Sequence, residues 1–395
     1  MERAAAKPPP PPAPPSDLDR HCLARAVEVG RRGWGRVQPN PMVGAVVVRG
    51  GEVIAEAHHA EYGGDHAEVA ALASLDDARG ATLYTSLEPC SHAGKTPPCT
   101  EAIRAAEIAR VVFWAPEPGS KQGGGGQWLR SRGVRVDGPF GTRGDWVAEN
   151  PAFFLAAAGR APYVALKLAV SLDGMIAPGG GKRAWLTGRE SREEVHRLRA
   201  GFDAVLVGTR TWKADDPMLT ARGAAVPRLP PVPVLLDRRG DLSAGARALQ
   251  GRSGTRGIVA TTAAQAARLQ RRLGRSADVV AVPEVDGGLD LAALMAELRG
   301  RGMTSVLSEG GGILAMSLLR DDLVDRLYLF AAPVVVGKGG VPAFPAGAAP
   351  TSACAADPGA AAESDEAVRL FKGWKSRLDP VRFGSDTLIV LDRGD

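Results

Sequence analysis

A histidine and two cysteines within the first hundred residues constrain the fold of this chain more than any other feature. The histidine belongs to the segment His66-Ala67-Glu68, and the cysteines to Glu88-Pro89-Cys90 and Pro98-Cys99. One imidazole and two thiolates are a ligand set that leaves the fourth position of a catalytic zinc ion open for water. The pattern therefore predicts that His66, Cys90 and Cys99 hold zinc, in a fold that brings three separate segments to one point.

Glu68, two residues after this histidine, indicates which reaction the predicted metal site supports. Bound zinc lowers the pKa of water from about 15.7 to about 7, so that hydroxide forms at neutral pH. Glu68 could take the proton from that water and return it to a leaving nitrogen, as hydrolytic deamination requires. Zinc deaminases share the elements His-x-Glu and Pro-Cys, but two residues usually separate their cysteines. Here eight residues, Ser91–Pro98, separate them.

A structural reading of the same residues stays open at this point. Cys90 and Cys99 could be buried thiols and His66 a histidine of the core, which is the commoner role of each residue alone. A structural zinc site would need a fourth protein ligand, for which His92 is a candidate. Glu68 favours the catalytic reading, because a structural site has no use for a proton carrier.

The order of predicted elements in the first part of the chain indicates an α/β/α domain. Strands are predicted at Val43–Val48, Val53–Ala57, Thr82–Leu87, Arg110–Ala115 and Val134–Asp137, and helices at Asp17–Arg32, His66–Leu75, Thr100–Ala106 and Gln127–Arg132. A hairpin followed by alternating helices and strands is typical of a three-layer arrangement. We place this domain at residues 17–147, after a disordered proline-rich tail of residues 1–16.

A second alternating pattern follows a predicted linker at residues 148–161. Strands are predicted at Tyr163–Val170, Ala204–Val207, Val232–Leu236, Gly257–Ala260, Val279–Val282, Ser305–Leu307, Arg326–Ala331 and Thr387–Leu391, and helices at Arg189–Ala200, Ala263–Leu273, Leu291–Arg299 and Ile313–Arg320. The pattern predicts another α/β domain over residues 162–395.

Composition limits the classes of partner. A net charge of +5 over 395 residues is a mild basic bias, which suits small anionic substrates and does not demand nucleic acid. Four cysteines are too few for a disulfide scaffold, so a reducing, cytoplasmic location is expected. No apolar run is long enough to span a bilayer, which predicts no membrane partner. A homo-oligomer is compatible with this composition.

Longer motifs around the zinc ligands, and others in the second half, closely resemble one family, the bifunctional riboflavin-biosynthesis deaminase/reductases. The motifs are Gln38–Gly44, Asp65–Val69, Leu87–Cys99, Ser171–Gly174, Ala184–Thr187, Ala214–Pro217 and Glu309–Gly312. They occur in the family's order, and the eight-residue gap between the cysteines is the family's own spacing. The resemblance extends from about Asp17 to the C-terminal end.

The resemblance implies a two-step enzyme whose N-terminal domain is cytidine-deaminase-like. That domain would remove an amino group from a diaminopyrimidinone ribosylamine 5'-phosphate. The family's zinc ligands fall on His66, Cys90 and Cys99, and its catalytic proton shuttle falls on Glu68. Its deaminase substrate contacts fall on Asn40, His59, His92 and Lys95, which gives His92 a substrate role instead of a ligand role.

The resemblance further implies a C-terminal domain similar to dihydrofolate reductase, which uses NADPH to reduce the ribosyl group to ribityl. The family's cofactor contacts fall on Val170, Trp185, Thr211, Asp215, Gly311 and Gly312, and its substrate contacts on Arg199, Leu219, Arg222 and Glu309. Guanidinium groups such as Arg199 and Arg222 can bind a phosphate through two hydrogen bonds. Glycines at the start of a helix let backbone amides approach a cofactor phosphate.

Some positions depart from the family pattern and keep alternatives open. Arg183 and Arg238 stand where the family often has serine, Val170 replaces a small residue, and Glu117–Ser120 replaces an Asp-Pro-Asn-Pro stretch. One alternative is therefore a deaminase with an inactive reductase domain, and another is a zinc-stapled binding protein without catalysis. A nucleic-acid-editing deaminase would need an aromatic-bearing basic groove, whereas aromatic residues are only 5% here.

Overall fold

The computed structural model describes residues 14–119, 124–160, 162–180, 184–223, 225–250, 256–345, 371 and 373–394. Residues 1–13 of the predicted tail lie outside this set, as do Ser120 and Arg183. The described residues form two compact units, of which the first ends at Ala158 and the second begins at Gly159. No helix in the described ranges is long and apolar enough to cross a membrane.

The first unit is built on one five-stranded sheet. Its strands are β1 Gly44–Arg49, β2 Glu52–His58, β3 Thr82–Leu87, β4 Arg110–Ala115 and β5 Arg135–Asp137. Its helices are α1 Asp17–Gly30, α2 Ala67–Ala73, α3 Cys99–Ala105, α4 Gly125–Arg130, α5 Arg143–Glu149 and α6 Pro151–Ala157. The strand order is β2-β1-β3-β4-β5, in which β1 is antiparallel to both neighbours and β3, β4 and β5 run parallel.

Helices cover both faces of this sheet because successive side chains of a strand point to opposite faces, and the side chains on each face are apolar. In β1, Val46 and Val48 pack in the same cluster as Leu23 of α1. Val47 faces the opposite side and packs in a cluster that includes Ala71 of α2 and other residues of α2 and α3. The period of two in a strand explains this division. The predicted three-layer α/β/α arrangement is confirmed.

A buried ion pair joins α1 to the sheet. The guanidinium of Arg110 on β4 donates to both carboxylate oxygens of Asp19, over 2.7 and 3.1 Å, and the hydroxyl of Tyr84 donates to Asp19 over 2.9 Å. Burial acts to raise the pKa of Asp19, but hydrogen bonds from Arg110, Ser16 and Tyr84 outweigh it and hold the pKa well below its usual value. Asp19 is therefore ionised wherever the protein is folded at ordinary pH.

Part of the stretch predicted as a linker is helical and packs on the first unit. Helix α6 places Phe154 in the core that also contains residues of α2 and α3. Helix α5 begins with a capping box, in which the Thr142 hydroxyl accepts from the Asp145 amide and the Asp145 carboxylate accepts from the Thr142 amide. A threonine followed three residues later by an aspartate therefore indicates the start of α5, a helix that the alternating pattern did not predict.

The second unit is built on a larger sheet. The strands of this unit are β6 Tyr163–Val170, β7 Met175–Ala177, β8 Ala204–Val207, β9 Val232–Leu236, β10 Gly257–Thr261, β11 Ala277–Ala281, β12 Glu284–Val285, β13 Gly288–Leu289, β14 Ser305–Ser308, β15 Arg326–Ala331, β16 Val341–Pro342, β17 Lys375–Ser376, β18 Val381–Phe383 and β19 Asp386–Asp392. Of these, β7 pairs with β16 and β12 pairs with β13 in two short ladders outside the large sheet. Its helices are α7 Arg189–Ala200, α8 Thr209–Asp215, α9 Ala263–Leu273, α10 Leu291–Gly300 and α11 Gly312–Arg320.

The order of this sheet is β11-β10-β9-β8-β14-β6-β15-β19-β17. The strands from β11 to β15 in that order run parallel, whereas β19 is antiparallel to β15 and to β17. Residues of α10 and α11 pack on one face and residues of α9 on the other. Because β14 lies between β6 and β8 and runs parallel to both, the segments that follow these three strands meet beyond their carboxyl ends. Open α/β sheets bind ligands at this end of the sheet.

Candidate active sites

The histidine and the two cysteines of the first unit converge at one point. His66 directly precedes α2, Cys99 is the first residue of α3, and Cys90 follows β3. The His66 Nδ1 atom lies 3.1 Å from the Cys99 sulfur and 3.6 Å from the Cys90 sulfur, and the two sulfurs are 3.4 Å apart. Tetrahedral ligands about 2.0–2.3 Å from zinc are separated by roughly these distances. The three side chains therefore fit one zinc ion.

A buried carboxyl group accompanies this cluster. Glu68 lies in the first turn of α2 and is 3% exposed. Burial raises its pKa to about 7, although the nearby charge of His66 acts in the opposite direction. A carboxyl group that gains and loses a proton near neutral pH has the property that a proton shuttle needs.

Two of the predicted deaminase substrate contacts bond to each other. His59 is 2% exposed, and burial lowers its pKa, so the ring is neutral. Its Nδ1 lies 2.9 Å from the carbonyl oxygen of Asp65 and its Nε2 lies 3.2 Å from the Asn40 side-chain nitrogen. The neutral ring therefore donates from Nδ1 to Asp65 and accepts at Nε2 from Asn40. Both ring nitrogens of His59 are bonded within the protein.

The other two predicted contacts, His92 and Lys95, belong to the loop between Cys90 and Cys99. The Nδ1 atom of His92 is buried and makes no hydrogen bond within the described part of the chain. Lys95 is exposed, and its ammonium lies 4.2 Å from the centre of the Tyr62 ring, a cation–π distance. A buried imidazole nitrogen without a partner is costly in a folded protein, so a ligand that bonds to it would remove this cost.

Two glutamates near the cluster, Glu88 and Glu117, were given no role from the sequence. The Glu88 carboxylate accepts from the Gly126 amide over 2.8 Å and so holds the start of α4 beside the Cys90 loop. A Cβ atom on Gly125 would lie 1.7 Å from the Pro89 carbonyl oxygen, which explains the glycine there. Burial raises the pKa of Glu117 to about 7. Both residues could have been singled out from the sequence, because Glu88 stands two residues before Cys90 and Glu117 departs from the family pattern.

In the second unit a buried carboxylate bonds to two cations. Glu309 directly follows β14, and its oxygens accept from Arg199 of α7 over 2.5 and 2.9 Å. The Lys167 ammonium of β6 lies 3.9 Å from the same carboxylate. Burial acts to raise the pKa of Glu309, but the charges of Arg199 and Lys167 hold it below the usual value. Lys167, Arg199 and Glu309 thus form one charged cluster, although the first and the last are more than a hundred residues apart in the sequence.

The remaining predicted substrate contacts differ in exposure. Arg222 is exposed, whereas Leu219 is 1% exposed as a whole residue and its side chain packs in the core. His196 accompanies them, with Nδ1 2.9 Å from the Thr220 carbonyl oxygen. Burial lowers the pKa of His196, and the charges of Arg199 and Arg222 lower it further. His196 lies three residues before Arg199 on the predicted helix, a spacing that could have revealed it.

The glycines after β14 form a tight turn into α11. The Gly311 amide donates to the Thr211 hydroxyl over 3.0 Å, which joins two of the predicted cofactor positions. A Cβ atom on Gly312 would lie 2.6 Å from the carbonyl oxygens of Pro342 and Ala343, so only glycine fits there. Asp215 is the last residue of α8, a helix that the sequence pattern did not predict.

The other cofactor positions and departures lie on other elements of the chain. Trp185 is 79% exposed, with the Arg192 guanidinium 5.0 Å from its ring centre, and Val170 is the buried last residue of β6. Arg238 forms an ion pair with Glu284 of β12. The extra positive charge at position 238 is therefore balanced by a carboxylate within the protein.

Profiles of two families match the chain. The cytidine and deoxycytidylate deaminase zinc-binding region matches residues 16–115, and the RibD C-terminal domain matches residues 162–357. Riboflavin biosynthesis protein RibD of Escherichia coli (strain K12) is 34% identical over 337 residues, which are 81% of this chain and 89% of that protein. RibD of Actinobacillus pleuropneumoniae is 34% identical over 325 residues, or 82% and 85% of the two chains. This chain belongs to the RibD family.

Solved RibD structures agree with this assignment over both units. Acinetobacter baumannii RibD superposes with a TM-score of 0.76 at 29% identity and covers 96% of this chain and 99% of its own. A diaminohydroxyphosphoribosylaminopyrimidine deaminase/5-amino-6-(5-phosphoribosylamino)uracil reductase from Thermotoga maritima has a TM-score of 0.76 at 32% identity, covering 95% and 99%. The predicted family and the predicted fold class are both confirmed.

Proposed function

We propose that this RibD-family protein is a bifunctional enzyme of riboflavin biosynthesis. It hydrolytically deaminates a diaminopyrimidinone ribosylamine 5'-phosphate and then reduces the ribosyl group to ribityl with NADPH. The observation that carries the proposal is the convergence of His66, Cys90 and Cys99, all within 4.8 Å, beside the buried Glu68. The two activities in the name of the Thermotoga maritima relative support it.

In the deaminase half, His66, Cys90 and Cys99 hold the zinc ion. When bound, zinc supplies Lewis-acid chemistry that lowers the pKa of water to about 7. Water gives up two protons in this reaction: Glu68 carries one to the amino nitrogen, which leaves as ammonia, and the other goes to the neighbouring ring nitrogen, while the water oxygen becomes the ring carbonyl. The pKa of about 7 that burial gives Glu68 suits both directions of this transfer.

Substrate binding in the same half falls to the side chains around the cluster. We assign Asn40, His92 and Lys95 to contacts with the pyrimidine and its phosphoribosyl group. The unpartnered Nδ1 of His92 and the exposed ammonium of Lys95 support these roles. His59 acts through Asn40, because its two ring nitrogens are bonded to Asn40 and to the Asp65 carbonyl.

In the reductase half, the charged cluster binds the sugar and the turn into α11 binds NADPH. The proposed substrate contacts are Arg199, Leu219, Arg222 and Glu309, and the proposed cofactor contacts are Val170, Trp185, Thr211, Asp215, Gly311 and Gly312. NADPH supplies the hydride, and the protein contributes orientation of the two reactants. The reduction also consumes a proton, which the Lys167 ammonium beside Glu309 can donate, whereas arginine keeps its proton.

We further propose that the protein works in the cytoplasm on a free small molecule, without nucleic acid or membrane, alone or as a homo-oligomer. The small number of cysteines supports a reducing compartment. The mild positive charge suits an anionic phosphate substrate.

The test supplies the zinc-loaded protein with the diaminopyrimidinone ribosylamine phosphate and follows ammonia release and NADPH absorbance together. Ammonia release with matching NADPH oxidation is the expected result. Ammonia release without NADPH oxidation would restrict the proposal to a deaminase with an inactive reductase domain. A folded, zinc-loaded protein that does neither would refute the proposed function.

A further inference from the structure

The side chain of Asn150 fixes the backbone of Met42, which is distant in the sequence. Its Oδ1 accepts from the Met42 amide over 2.7 Å, and its Nδ2 donates to the Met42 carbonyl oxygen over 3.2 Å. Met42 lies two residues before β1 and outside the ladder of that strand. Both peptide groups of Met42 are therefore held by one amide side chain, which fixes the position and the direction of the chain at this point.

Asn150 is itself held rigidly, because it joins α5 to α6 and both helices are anchored. The Glu149 carboxylate accepts from Arg31 over 2.6 and 3.0 Å. The Trp146 indole donates to the Trp114 carbonyl oxygen of β4 over 3.0 Å, and α6 contributes Phe154 to the core. The Met42 backbone is thus tied to a supported part of the first unit.

The segment that Asn150 holds carries Asn40 to the zinc-ligand cluster. The Asn40 side chain donates to His59 Nε2 over 3.2 Å, and His59 Nδ1 donates to the carbonyl oxygen of Asp65, the residue before His66. The rings of His59 and His66 lie 5.4 Å apart, edge to face. A short chain of contacts therefore leads from Asn150 through residues 40–42 to the proposed active site.

We propose that Asn150 is a positioning residue for deamination, which sets the place of Asn40 by clamping the backbone of Met42. The inference rests on the proposed deaminase function. It assigns a role in the chemistry of the first unit to residues beyond 115, where the match to the zinc-binding region ends. Replacing the clamp frees the segment before β1, so that Asn40 spends less time where the substrate needs it, while His66 at the start of α2 and Cys99 of α3 keep their support.

The experiment compares Asn150→Ala with the unaltered full-length protein in the steady-state kinetics of ammonia release. We expect kcat/KM for deamination to fall between about tenfold and a hundredfold, mainly through a higher KM. NADPH oxidation with the deaminated intermediate should change less than about twofold, and zinc content should not change. Thr142→Ala is the matched control, because it removes the cap of α5 without touching Met42 and should lower the melting temperature but leave the KM for deamination unchanged.

A double-mutant cycle separates positioning from general loosening. If Asn150 acts through Asn40, Asn150→Ala should have almost no further effect on kcat/KM in an Asn40→Ala background. An unchanged KM in Asn150→Ala, additive effects in the cycle, or equal loss of both activities would overturn the proposal. An unaltered protein that released no ammonia would instead refute the proposed function itself, and with it this inference.

Discussion

Removal of the Glu309 carboxylate tests the charged cluster of the second unit. The side chains of Glu309, Arg199 and Lys167 are 8%, 12% and 18% exposed, so Glu309→Ala leaves two cations in a poorly solvated place without their counterion. Breaking a buried ion pair from one side costs about 3–5 kcal/mol of the free energy of unfolding. For a unit of this size, each kcal/mol lowers the melting temperature by about 2–4 °C. The unfolding transition of the second unit should therefore fall by about 6–20 °C.

Differential scanning calorimetry measures this shift, with Glu297→Ala as the control. Glu297 also accepts from an arginine, Arg301, over 2.8 Å, but those side chains are 43% and 35% exposed, so the loss should be under about 1 kcal/mol. Adding Arg199→Met to Glu309→Ala should recover part of the loss, because one unpaired cation is removed. NADPH oxidation should be lost in Glu309→Ala while ammonia release persists. Equal shifts for Glu309→Ala and Glu297→Ala would refute the argument from buried charge.

Three further predictions concern the first unit. Glu68→Gln should retain zinc, measured by atomic absorption, and lower ammonia release by about 10²–10⁴-fold; near-normal release would remove the shuttle role. Removal of zinc with a chelator should abolish ammonia release and spare NADPH oxidation with the deaminated intermediate, and loss of both would place the metal in folding of the whole protein. Asp19→Asn should cost about 3 kcal/mol at pH 7 in chemical denaturation. Because the folded pKa of Asp19 lies below its unfolded value of 3.8, the stabilisation is present above that pH and is lost as pH falls below it; a difference from the unaltered protein that is independent of pH would contradict this.

Strands were the part of the fold that the sequence predicted best. The bounds of β4, β6 and β9 agree residue for residue with the prediction, because buried parallel strands are nearly continuous apolar runs. Helix α8 was not predicted, since its sequence Thr-Arg-Thr-Trp-Lys-Ala-Asp has no apolar stripe to indicate a helix. It forms because tertiary contacts such as the bond from the Trp212 indole to the Leu236 carbonyl hold it in place.

The side chains of the candidate zinc site could be identified from residue types, whereas the cluster around Glu309 could not. A histidine, a glutamate and two cysteines imply their chemistry wherever the fold brings them together. By contrast, Lys167, Arg199 and Glu309 are common residues spread over three elements, and only strand order places them together. Asn150 shows the same limit, because an asparagine before a proline indicates a turn and says nothing of the distant backbone that its amide holds.

The late position of β19 along the chain has a consequence for synthesis on the ribosome. This strand, residues 386–392, pairs with β15 and with β17, and its Asp392 accepts from Arg326 of β15. The first unit consists of a continuous stretch that ends at Ala158, so it can fold while most of the second is still being made. The sheet of the second unit cannot be completed until residue 392 has left the exit tunnel. Until then, the side of β15 that pairs with β19 is an unpaired edge. A nascent chain should therefore acquire its metal-binding half first and need protection from aggregation chiefly at its newest strands.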